Sequence, residues 1–114
     1  PNSWTMRGLI EEVGSSNLKV LLDPANILCY DDSARPFDVL GEQIVLAHAK
    51  DCIVDEKGMP SFPSAGQGQV DWPVFLERLM ALGDVPLIIE YAKEESFAEV
   101  VDFLRAQIAE VEGN

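Results

Sequence analysis

Apolar residues along this chain follow two alternating rhythms. Met6, Leu9, Ile10 and Val13 recur at helical spacing, with Thr5 placed to cap the first turn and Gly14 to stop the last. Leu18-Lys19-Val20-Leu21-Leu22 reads as a strand ending at Asp23. Pro24 forbids simple continuation of a central strand, so Asp23-Pro24-Ala25-Asn26 marks a strand-to-loop junction. Residues 29–35 are polar and read as loop, and Pro36 is suited to the first position of a short helix closed by Gly41. Ile44-Val45-Leu46-Ala47 is then a continuous apolar run ending in His48, the only histidine. Such a run, rich in branched residues, fits a parallel strand buried on both faces.

Through residues 52–70 the breakers Gly58, Pro60, Pro63, Gly66 and Gly68 predict an irregular, mobile loop of a length that is usually functional or disordered. Asp71 is placed to cap a helix with Trp72, Phe75, Leu76, Leu79 and Met80 on one face and Gly83 at its end. That stripe reads as core rather than as a cofactor box. Pro86-Leu87-Ile88-Ile89 is a short buried strand closed by Glu90. A last helix over residues 94–111 turns Phe97, Val100, Val101, Leu104, Ile108 and Val111 inward, and its early glutamates suit the helix dipole. The alternation of helix and strand predicts an α/β domain, undivided over residues 1–114, with parallel strands joined by right-handed crossovers.

Composition narrows the function classes. With 47% hydrophobic residues the chain can bury a core, and its net charge of -12 excludes a nucleic-acid phosphate backbone as an expected partner. No apolar segment approaches the roughly 20 residues a bilayer span needs, so no membrane partner is expected. Cys29 and Cys52 have the spacing of neither a metal pair nor a disulfide framework, which predicts a reduced, cytoplasmic setting, and neither has a base beside it to make it a nucleophile. The opening Pro1-Asn2-Ser3-Trp4 is not a basic signal peptide and reads as a cut inside a longer gene product.

The chemistry lies in a repetition. KVLLD, IVLAH and PLIIE are each an apolar run ended by a side chain able to bind metal, which predicts Asp23, His48 and Glu90 at neighbouring strand ends on one rim. Two oxygens and one imidazole nitrogen suit a divalent ion such as Zn, Mn, Co or Mg. Plainer readings stand beside this one. Asp23 could be a turn former before proline, His48 a hydrogen-bonded structural histidine, Glu90 a solvent-facing strand end, and Lys50 with Asp51 an ion pair or a solvated turn. Gly66-Gln67-Gly68 lacks the third glycine of a dinucleotide fingerprint and reads as a tight turn leading to Asp71, its backbone lining the pocket.

LLDPAN, AHAKD, GQGQVDW and IIEY, in that order, resemble the C-terminal half of the xylose isomerase-like TIM barrels, a family of sugar isomerases, sugar-phosphate isomerases and epimerases with a related endonuclease branch. The resemblance covers nearly the whole chain and implies a partial (β/α)8 barrel, its sixth to eighth strands with flanking helices. It implies that Asp23 binds metal, that His48 is the ligand of an H-x-K-D motif, and that Glu90 both binds metal and moves a proton. Lys50 and Asp51 match the remaining polar positions of that motif, Lys50 as a catalytic group and Asp51 on the substrate side. Asn26, Gly66 and Gly68 are expected beside the substrate too, although many relatives place a histidine where Asn26 stands. A glutamate ligand on the fifth strand is expected upstream of Pro1.

The implied reaction interconverts sugars or sugar phosphates by proton transfer next to a carbonyl, through an enediolate, or by a hydride shift. Since a whole barrel needs about 250 residues, the isolated piece is expected to hold metal weakly if at all, to turn over little, and to self-associate through open sheet edges. Two alternatives remain: a non-catalytic, flavodoxin-like binding domain whose acidic rim meets a protein, and the endonuclease branch, disfavoured by the acidic surface and the lack of further histidines.

Overall fold

The structure is a computed structural model describing residues 2–113; Pro1 and Asn114 lie outside the described residues. In chain order its elements are α1 (Ser3–Val13), β1 (Val20–Leu22), α2 (Pro24–Ile27), α3 (Arg35–Leu40), β2 (Ile44–Ala49), β3 (Ile53–Val54), β4 (Pro60–Ser61), α4 (Trp72–Ala81), β5 (Leu87–Ile89) and α5 (Phe97–Gly113). Single 3-10 turns at Gly41–Gln43 and Glu94–Ser96 lead into β2 and α5.

The central sheet has the order β1-β2-β5, all parallel, as the alternation of elements predicts. Leu21 pairs with Leu46, Leu22 with Ala47, and His48 with Ile88. One face of the sheet carries Val20, Leu22, Ala47 and Ala49, all buried against a cluster that includes Phe37, Phe75, Leu76, Leu79, Val100 and Leu104. Trp72, Phe75, Leu76 and Leu79 of α4 and Val100, Leu104, Ile108 and Val111 of α5 are therefore in or against the core, as expected, whereas Phe97, expected to turn inward, is 51% exposed. The other face is open, with Leu21 45% and Ile88 47% exposed. Burial on both faces, expected for β2, is thus corrected: the helices of this chain cover one side of the sheet only.

Local chemistry explains the element ends and several departures from expectation. Asn2, not Thr5, caps α1, its Oδ1 accepting from Thr5 N at 2.9 Å, and Gly14 stops the helix in the left-handed region at φ 65°. Only Met6 and Ile10 of the expected α1 stripe pack on the core, while Leu9 and Val13 are exposed. The junction after β1 is a short helix rather than a loop, because Asp23 Oδ1 accepts from Ala25 N and Asn26 N at 3.0 and 3.1 Å. Pro36 is the second residue of α3, one place later than expected. Residues 52–70 contain the antiparallel hairpin β3–β4 in place of a wholly irregular segment.

Candidate metal centre

Side chains alternate across a strand, so a residue two positions beyond one on the open face returns to that face. Asp23 stands two beyond Leu21, His48 two beyond Leu46, and Glu90 two beyond Ile88. The register of the sheet sets these side by side at the carboxyl ends of the strands, on its open face. His48 Nδ1 lies 3.2 Å from Asp23 Oδ2 and 3.0 Å from Glu90 Oε2, and one ligand atom from each residue falls within 4.8 Å of the other two. The three residues predicted as ligands are therefore brought together.

Asp23 divides its two oxygens between two tasks. Oδ1 caps α2, which fixes the carboxylate plane and turns Oδ2 toward His48. A ring nitrogen has one proton or one lone pair, and here it serves Asp23. Among the described residues Glu90 Oε2 is left buried without a hydrogen-bond partner, a condition that costs about 1–3 kcal/mol when nothing compensates. A cation between the three atoms would supply what the imidazole cannot. Two carboxylate oxygens and one imidazole nitrogen are a donor set suited to a borderline or hard divalent ion, so Asp23, His48 and Glu90 could hold one.

Lys50 follows His48 by two positions and joins the same face. It is only 5% exposed. Its Nζ donates to Asn26 Oδ1 at 2.8 Å and stands 3.6 Å from Asp23 Oδ2 and 3.8 Å from Glu90 Oε2. The ring centroids of Phe62 and Tyr91 lie 4.3 and 4.6 Å from the ammonium, and the two rings pair at 5.6 Å. Tyr91 adopts φ 61°, a left-handed conformation that a bulky residue rarely takes. Asn26 is thus placed beside the centre.

Asp51 is placed elsewhere. The next residue along points to the opposite side, and Asp51 is 0% exposed. Its Oδ1 accepts from Cys52 N and Val70 N at 2.9 and 3.0 Å, and its Oδ2 accepts from Gly66 N and Trp72 Nε1, both at 2.8 Å. All of its acceptor capacity goes to closing residues 52–70 onto α4. The two glycines belong to this arrangement. A Cβ at Gly68 would collide with the Asp51 carboxylate, and Gly66, at φ 95°, would drive one to 3.0 Å from the Phe103 ring. The expectation that Asp51 lies on the substrate side is accordingly corrected: its carboxylate has no surface to offer a ligand, and with the two glycines it holds the loop.

Cys52 is buried and Cys29 exposed, both as free thiols. Burial pushes the Cys52 thiol up, with Cys29 and Asp51 adding to the effect, which agrees with Cys52 not being read as a nucleophile. Phe62 and Tyr91 are the site residues that sequence reasoning missed. An isolated aromatic in the turn-rich Pro60-Ser61-Phe62-Pro63, and the tyrosine directly after Glu90, were the available signals.

Comparison with known proteins agrees with this architecture. The family model described as xylose isomerase-like TIM barrel matches residues 2–107. A xylose isomerase domain protein from Planctomyces limnophilus superposes with a TM-score of 0.84 at 21% identity, covering 98% of this chain and 43% of that one. An L-ribulose 3-epimerase superposes with a TM-score of 0.70 at 14% identity, covering 97% of this chain and again 43% of the other. The chain therefore spans less than half the length of these structures, and at such identities the likeness is one of fold. No curated protein sequence matches the chain significantly.

Proposed function

Because the chain belongs to the xylose isomerase-like TIM barrel family, we propose that it carries the metal-binding rim of a sugar or sugar-phosphate isomerase or epimerase. The observation that supports this most directly is the convergence of Asp23 Oδ2, His48 Nδ1 and Glu90 Oε2, with the glutamate oxygen buried and without a hydrogen-bond partner among the described residues. The four sequence blocks that resemble the sixth to eighth strands of such barrels support the same reading. In this proposal the intact protein adds the glutamate ligand of the fifth strand.

When bound, a divalent cation would polarise the substrate carbonyl and the neighbouring hydroxyl. Asp23, His48 and Glu90 would hold it, Asp23 through the one oxygen that the cap of α2 leaves free. Glu90, less buried than Asp23, removes the proton from the carbon beside the carbonyl and returns it, so the substrate passes through an enediolate. Lys50, whose ammonium stands within 4 Å of Glu90, offsets the negative charge that develops on the enediolate as Glu90 takes up the proton. Phe62 and Tyr91 limit the access of water to that ammonium. The same ligands serve a hydride shift between carbons. The net charge of -12 favours a small-molecule substrate over the endonuclease branch.

Substitution at two of the three ligands tests the proposal. In the intact protein Asp23→Ala and His48→Ala are expected to weaken manganese or zinc binding by at least about 100-fold and to abolish isomerisation, measured by calorimetric titration and by sugar turnover. Unchanged metal affinity and turnover in both variants would reject it.

A further inference from the structure

We infer that Lys50 is a built-in counter-cation that sets how tightly the centre holds a divalent ion, an inference that rests on the metal reading above. Its Nζ approaches Asp23 Oδ2 and Glu90 Oε2 at 3.6 and 3.8 Å, the same two oxygens that converge on His48 Nδ1. Lysine and metal thus share ligand atoms. The two carboxylates together present two negative charges, of which the ammonium cancels one before any ion arrives.

An ordinary surface lysine would swing into water when a metal entered, and its effect would be screened. Lys50 has no such route. It is almost fully buried, its ammonium is fixed to Asn26 Oδ1 at 2.8 Å, and the Phe62 and Tyr91 rings face it at 4.3 and 4.6 Å. A divalent ion must therefore settle beside a fixed positive charge a few ångströms away. In exchange the metal-free centre is not left as two unopposed carboxylates. Lys50 weakens metal binding and stabilises the empty site at once, a coupled signature that a purely structural lysine lacks.

The test uses Lys50→Met and Lys50→Gln in the full-length protein, the second keeping a donor for Asn26. Both variants are expected to bind manganese at least about tenfold more tightly than the native protein, while Lys50→Arg, which keeps the charge, stays close to native affinity. In chelator the neutral variants should melt at lower temperature than the native protein, and manganese should raise their melting temperature by more. In native protein, which needs no variant to fold, the nitrogen NMR resonance of the Lys50 ammonium should shift on titration with zinc. Equal or weaker metal binding by the neutral variants, or an ammonium resonance indifferent to bound zinc, would overturn the inference and leave the metal centre standing. Failure of native and variant proteins alike to bind any divalent ion would remove the metal reading itself, and this inference with it.

Discussion

A carboxylate with no exposed surface persists inside a protein only if hydrogen bonds replace the water it has lost. Asp51 receives four such bonds, from three backbone amides and the Trp72 indole. Deleting it would strand those donors in a pocket that cannot collapse, because Gly68 already packs against the carboxylate. Asp51→Ala is therefore expected to destabilise the protein by about 3–5 kcal/mol, read by urea denaturation with Trp72 fluorescence as reporter. A loss below about 1 kcal/mol would show that the loop is held by other means. His48, Lys50 and Asp51 are near neighbours in sequence, yet strand parity separates the first two, on the open face, from the third, in the interior.

At the scale of elements, helix ends carry the polar bookkeeping of this fold. The first turn of α1 is anchored by Asp31, whose Oδ2 accepts from Ser3 N and Ser3 Oγ at 2.8 and 2.5 Å. The approach to α3 is held by Asp32 Oδ1, which accepts from Ala34 N and Arg35 N at 2.9 and 2.7 Å. The bond from the Arg35 amide, and then that from Ala34, hold the Asp32 carboxyl below the usual carboxylate range. A carboxyl lowered in the folded state stabilises at pH above its unfolded value and loses that contribution as the pH falls through its folded value. Asp32→Ala is thus expected to cost about 1 kcal/mol at neutral pH, with the difference from native protein shrinking as the pH drops below about 4. Denaturation curves across that range measure it, and a difference that persists in acid would rule out a turn held by the ionised group.

For the molecule as a whole, the decisive feature is a sheet covered on one side. Leu21 and Ile88 face outward from the open side, and β1 and β5 are both edge strands of the sheet. The 114-residue chain by itself is therefore expected to self-associate, giving a mass in light scattering that rises with concentration. Ile88→Glu should shift that equilibrium toward monomer by about tenfold or more, since it places a charge in an apolar contact. A stable monomer at all concentrations, in native chain and variant alike, would mean that the open face is no docking surface for a second copy.

Periodicity is written within a few residues, and so the three strands of the central sheet, the major helices and the ends at Asp23, His48 and Glu90 were legible in the sequence alone, whereas the β3–β4 hairpin was not. Three apolar runs, each closed by a ligand type, already implied one rim. Which oxygen of Asp23 faces that rim was not legible, nor that Asp51 turns inward to bond residues up to 21 positions away. Nor was the approach of Phe62 and Tyr91 to Lys50, or the exposure of the second sheet face. Those outcomes depend on how distant segments close on one another, and chain closure brings together positions that no local pattern relates.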